Sequence, residues 1–152
     1  DDPFMDQYVG DRVPWKLPYI RSLALSGRHD EALAVLQPLT EKYPSDADLL
    51  LLLGDTYFAK GDEQSLVYAA TQAYDQLIVA LNDVSADAEP DLKRVFWYAW
   101  MRRLQISEKL DSGTEDIALR LVQLRLSDAN LGGEPYRSEL ERLATKYAGA
   151  AR

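Results

Sequence analysis

From Pro14 onward, apolar residues recur at intervals of three and four, and no stretch alternates apolar with polar side chains as a half-buried strand would. The period predicts helices, and caps and breakers divide it into about seven. The first spans Trp15 to Ser26 and stops at Gly27. The second starts at Asp30, read as its N-cap, and ends before Pro44. The third runs from near Asp46 to Gly61, and the fourth from Ser65 to Asn82. After the loop VSADAEPD, the fifth covers Pro90 to Leu110. The sixth has Thr114 as N-cap and reaches Leu126. The last starts at Pro135, a favoured first helical position, and ends before Gly149. Helices joined by turns this short pack as antiparallel neighbours.

The run Leu49–Leu53 tests the pattern. A membrane-spanning helix needs about 20 apolar residues. The longest apolar runs here are Leu49–Leu53, Leu77–Leu81 and Phe96–Met101, so none qualifies. Leu50, Leu53, Gly54 and Tyr57 instead share one helical stripe. Gly54 lets a partner helix come close, and Tyr57 fills the space beyond. Leu49 belongs to the same packing. Leu52 points toward a neighbouring helix pair and Leu51 toward an open side.

Gly27 and Gly61 lie 34 residues apart, and each is followed by an acid-led helix, GRHDEAL and GDEQSL. A 34-residue period of helix pairs is the mark of the tetratricopeptide repeat, with the pattern W-x-x-L-G-x-x-Y, then A-x-x-x-F, then P. Leu50, Leu53, Gly54 and Tyr57 fit the first helix, with Leu in place of Trp. Ala70 and Tyr74 fit the second after an insertion of four residues, and Asn82 replaces the proline. In the preceding unit Ala32, Leu36 and Pro44 match, whereas Lys16, Tyr19, Ile20 and Leu23 match poorly. Trp97, Trp100, Met101 and Leu104 support a degenerate third unit. The chain thus resembles the tetratricopeptide repeat family. The resemblance implies an all-α fold, a short right-handed superhelix of antiparallel helix pairs. Its repeats cover about residues 13–46, 47–84 and 90–128, with a closing helix at 134–148. The whole repeat domain spans 14–148, preceded by an acidic arm at 1–13.

The resemblance also implies a function, a non-catalytic scaffold or adaptor that binds another protein in a concave groove. Positions one and five residues after the motif's Trp line that groove. Here they are Leu17 and Arg21, Leu51 and Asp55, and Tyr98 and Arg102. Such a row can bury an apolar anchor and pair a charge beside it. Family members that clamp a C-terminal carboxylate use Lys and Asn where this chain has Leu17, Leu51 and Leu52, so that mode is not expected. Arg21, Asp55 and Arg102 could instead pair only with one another, which is worth about 0–1 kcal/mol for each exposed pair.

Composition narrows the classes. The chain has 152 residues, 47% hydrophobic and 28% charged, enough for one folded core. Net charge is −8, which argues against nucleic acid or an anionic membrane as partner. Residues 1–91 carry −11 and residues 92–152 carry +3, a polarity suited to head-to-tail self-association or steering. An assembly subunit that associates through its ends or its aromatic helix is the alternative function. There is no cysteine, hence no thiolate metal site and no cysteine nucleophile. That is compatible with a cytoplasmic or a periplasmic setting. A start at DDPFMDQY, with neither an initiator Met nor a signal segment, is expected of a processed protein or an excised fragment.

Little else carries chemistry. His29, the sole histidine, is expected in a solvent-exposed turn. No triad, phosphate loop or metal set can be built, so neither a cofactor nor an enzyme activity is expected. FWYAWMRR (96–103) is the most aromatic stretch. Trp97, Trp100, Met101 and Leu104 read as core. Burying an indole is worth at most about 4–6 kcal/mol by area. Tyr98, Arg102, Gln105 and Lys109 lie on another face and are the better binding candidates. Asn130, Gly132 and Gly133 read as a loop and helix stop.

Overall fold

The computed structural model describes residues 16–83 and 90–149, with the side chains of Lys16 and Leu17 outside that description. The expected arm at 1–13, the start at Trp15 and most of the VSADAEPD loop also lie outside it. The described residues are all-α. They form α1 (Lys16–Leu25), α2 (His29–Lys42), α3 (Ala47–Lys60), α4 (Glu63–Tyr68), α5 (Asp75–Leu81), α6 (Pro90–Leu110), α7 (Ile117–Ser127) and α8 (Tyr136–Lys146). A π-helical stretch, Ala69–Tyr74, fuses α4 and α5 into one rod, and a 3₁₀ turn, Thr114–Asp116, leads into α7. Seven continuous helices result, as expected, and among the described residues none is long and apolar enough to cross a membrane. The chain divides into two compact units between Leu77 and Ile78. That division falls inside α5.

In the first unit the glycine stops act as expected. Gly27 and Gly61 take left-handed φ of 81° and 79°, a conformation that costs other residues a steric penalty. Asp46 caps α3 by accepting from the Leu49 amide at 3.1 Å, and Asp62 caps α4 from the Ser65 amide at 3.1 Å. Asp30 does not cap. Arg28 holds the N-cap position of α2 without a side-chain cap bond, so His29 opens the helix, half-buried, rather than lying in an exposed turn. Asp30 lies two residues past the cap position, in the first turn of the helix. Its carboxylate instead accepts from Lys60 Nζ at 2.8 Å, joining the start of α2 to the end of α3. Thr114 likewise starts a 3₁₀ turn behind Gly113 instead of capping α7.

The core of this unit is the stripe read from the leucine run. Leu49, Leu50, Leu53 and Tyr57 are buried, as is Leu52, while Leu51 is half-open. Gly54 faces the π-helical stretch. A Cβ there would stand 2.8 Å from Tyr74 Cε1 and 3.0 Å from Ala73 Cβ. The absent side chain is what lets the Tyr74 ring lie across α3. Tyr57 reaches the other way, accepting from Gln37 Nε2 at 2.8 Å and packing its ring 5.5 Å from that of Tyr68.

In the second unit, Trp97 and Leu104 of α6 are buried against Ile117, Leu121 and Leu124 of α7 and Leu140 of α8. Trp100 and Met101 are only half-buried, packed on the edge of that core. The segment after α7 is more than a stop. Leu131, at φ 51°, is fully buried, and at Gly132, φ 83°, a Cβ would lie 2.2 Å from Trp97 Cγ. The loop is therefore part of the core, clamped onto the indole.

Candidate protein-interaction site

Each of the six groove positions falls on a helix, and the side chain of Leu17 lies outside the described residues. Leu17 and Arg21 are on α1, and Arg21 is exposed. Leu51 and Asp55 stand one turn apart on α3, both half-open, on the side away from the sealed stripe. Asp55 is held in place, its carboxylate accepting from Tyr74 Oη at 2.6 Å. That bond ties the groove position to the ring that packs over Gly54.

Tyr98 and Arg102 also lie one turn apart, on α6, and the structure brings them into contact. The guanidinium carbon sits 5.2 Å over the Tyr98 ring, and Nε donates to its hydroxyl at 3.0 Å. Arg102 further donates to Gln105 Oε1 at 2.8 Å. Gln105 passes the chain on to Glu139 of α8 at 3.1 Å. From there Arg142 bridges Glu139 at 2.7 Å and Glu108 at 2.8 Å, and Lys146 closes on Glu108 at 2.8 Å. Arg142 and Lys146 donate to the Glu108 carboxyl and, against the opposing effect of burial, hold it down to about 2. The same pairing raises Arg142, with Glu108 the larger cause, and Arg142 lowers Glu139.

The sequence reading found Tyr98, Arg102 and Gln105 but missed Glu108, Glu139, Arg142 and Lys146. A signal was present. Gln105 and Glu139 are 34 residues apart, as are Glu108 and Arg142. The repeat period, carried one step further, pairs α6 with α8 at those positions.

A second recess in this unit is a cleft of about 190 Å³ between Leu81, the α6 residues Lys93, Phe96 and Trp97, and Asp128 after α7. Its charged groups, Lys93 and Asp128, are already engaged. Asp128 accepts from the Asn130 and Gly132 amides and pairs with Lys93 at 3.3 Å. Burial pushes that carboxyl up, but these partners outweigh burial and hold it below the ordinary Asp value. The arrangement braces the loop. No group of three or more acidic or histidine side chains among the described residues converges on a metal position.

Comparison with known families matches residues 15–56 to the tetratricopeptide repeat. The match covers α1, α2 and most of α3, including the Leu50–Leu53–Gly54 stripe. Repeats of this family generally mediate protein–protein interactions and are typically non-catalytic. No curated protein and no solved structure matches the chain.

Proposed function

We propose that the chain, whose residues 15–56 match the tetratricopeptide repeat, is a non-catalytic adaptor holding a segment of another protein along the first helices of its repeats. The observation that carries this reading is the split surface of α3. One side is sealed by Leu50, Leu53, Gly54 and Tyr57, while Leu51 and Asp55 stay half-open on the other. An apolar residue beside an oriented carboxylate suits a partner segment with an apolar anchor and a neighbouring donor. Leu17, Arg21, Tyr98 and Arg102 complete the proposed lining. Tyr98 and Arg102 brace each other, so less side-chain freedom is lost when they meet a partner.

The test is a cross-linked pull-down from the source organism with wild type and a Tyr98→Ala/Arg102→Glu double variant. A partner captured by wild type and lost by a folded double variant is expected. Equal capture by both would remove Tyr98 and Arg102 from the lining. The uneven charge, −11 over residues 1–91 and +3 over 92–152, favours a second reading as a self-assembling subunit. Light scattering that shows a strict monomer at high concentration and low salt would end that reading.

A further inference from the structure

Tyr98, Arg102, Gln105 and Glu108 follow one another at helical spacing and share one face of α6. Glu139, Arg142 and Lys146 do the same on α8. Glu108 and Glu139 are only 19% and 26% exposed, so the two rows meet in a seam that water reaches in part. Gln105 is the one neutral amide in that seam. Its Oε1 accepts from Arg102 at 2.8 Å, and its Nε2 donates to Glu139 at 3.1 Å. A guanidinium only donates and an ionised carboxylate only accepts. One orientation of the amide therefore satisfies both neighbours. Turned over, it would set its NH₂ against the guanidinium and its oxygen against the carboxylate, and both bonds would be lost.

The way Gln105 points is thus dictated from α8. Glu139 is itself fixed, accepting from Arg142 Nη2 at 2.7 Å and from Nε at 3.1 Å. Arg142 is anchored a second time, on both oxygens of Glu108 at 3.0 and 2.8 Å. At the other end, Arg102 lies over the Tyr98 ring with Nε on its hydroxyl at 3.0 Å. The Gln105 oxygen takes Nη1 of the same guanidinium. We propose that Glu139 is a positioning residue for Arg102, acting through the orientation of Gln105, so that α8 sets the pose in which α6 presents its guanidinium. The functional meaning rests on the adaptor reading, because Tyr98 and Arg102 belong to the proposed lining, whereas Glu139 lies outside it. A guanidinium already held in one pose gives up less side-chain freedom when a partner arrives. Replacing Glu139 leaves the amide free to turn, and the pose of Arg102 is then no longer imposed.

The experiment uses the full chain with isotope-labelled arginine. The Arg102 Nε–H resonance is identified by its loss in Arg102→Lys, and its exchange with water is measured by nuclear magnetic resonance. Glu139→Ala and Gln105→Met should each speed that exchange at least about threefold, in chains whose helical circular dichroism is unchanged. Gln105→Glu should keep it slow, because a carboxylate has no donor to turn toward the guanidinium. In the Gln105→Glu background, Glu139→Ala should then leave the rate unchanged. A general loosening of α8 would instead speed exchange in both backgrounds. An Arg102 Nε–H indifferent to Glu139→Ala, or equally sensitive to it in both backgrounds, overturns the inference. None of these rates requires a partner. If a captured partner binds wild type and Tyr98→Ala/Arg102→Glu alike, the proposed lining fails while the positioning of Arg102 by Glu139 stands on the exchange data.

Discussion

Replacing Gly54 with alanine sets two effects of opposite sign against each other. In an exposed helix interior the change is favourable by about 1 kcal/mol, because alanine gives up less backbone freedom on folding. Here the added Cβ would enter within 2.8 Å of Tyr74 Cε1 and 2.9 Å of Cζ. The ring cannot swing aside cheaply, since Tyr74 is fully buried and its hydroxyl is bonded to Asp55 at 2.6 Å. Forcing a methyl group into a packed core costs about 1–3 kcal/mol. Loss of a hydrogen bond to a charged group adds about 1.5–3 kcal/mol if the ring rotates away. The balance is a destabilisation of about 1–3 kcal/mol. Urea unfolding followed by helical circular dichroism measures it directly. Adding Tyr74→Leu, which removes the offending ring atoms, should make Gly54→Ala far less costly in that background. A Gly54→Ala chain as stable as wild type, or more so, would refute the claim that this glycine is required by close approach.

Four further outcomes follow from the same contacts. Gly132→Ala should lower stability by at least about 3 kcal/mol and shift tryptophan fluorescence to the red, because the new Cβ meets Trp97 at 2.2 Å in a left-handed backbone. Asp46→Ala should cost about 1 kcal/mol in urea unfolding through the lost α3 cap. Asp30→Ala should leave the urea midpoint close to wild type, because Asp30 only pairs with Lys60 at the surface. Glu108 has its folded value depressed from 4.5 to about 2, so its contribution is complete above 4.5 and disappears as pH falls from 4.5 toward 2. That shift has a ceiling of about 3 kcal/mol. Arg142 and Lys146 are 46% and 52% exposed, and screening leaves about 1 kcal/mol. Glu108→Gln should therefore lose about that much at pH 7 and nothing near pH 2, read as the difference in urea midpoints.

Local chemistry explains why some of this fold was legible and some was not. Gly27, Gly61, Asp46 and Pro90 mark helix ends through backbone conformation or a capping bond, both properties of a few adjacent residues. The leucine run was readable because its 3.6-residue period separates Leu53 from Leu51. Three features depended on context beyond that range. Pro38 lies inside α2 on an exposed face, and Ala34, whose carbonyl it leaves without a helical donor, is exposed as well. The π-helical stretch at Ala69–Tyr74 has no composition of its own, and it brings Tyr74 over Gly54, a contact 20 residues away. The cap at Asp30 was misplaced because N-cap and first-turn positions favour the same acidic residues. For the candidate site, helical spacing placed Tyr98 and Arg102 on one face, but their polar continuation into α8 is a tertiary relation.

The two bonds that join Gln105 to Glu139 and Glu108 to Arg142 share one offset, and that makes the seam a rule of addition. At Gln105 and Glu108 the residue 34 positions on is complementary, whereas at the same offset Arg103 has Arg137 and Lys109 has the buried Leu143. A charge moved along α6 by one helical turn would keep its partner only if α8 were edited by the same turn. The seam thus works as a vernier. Exchanging the charges of Glu108 and Arg142 alone would keep that pair but set like charges against Glu139 and Lys146, so the seam can be edited only as a set.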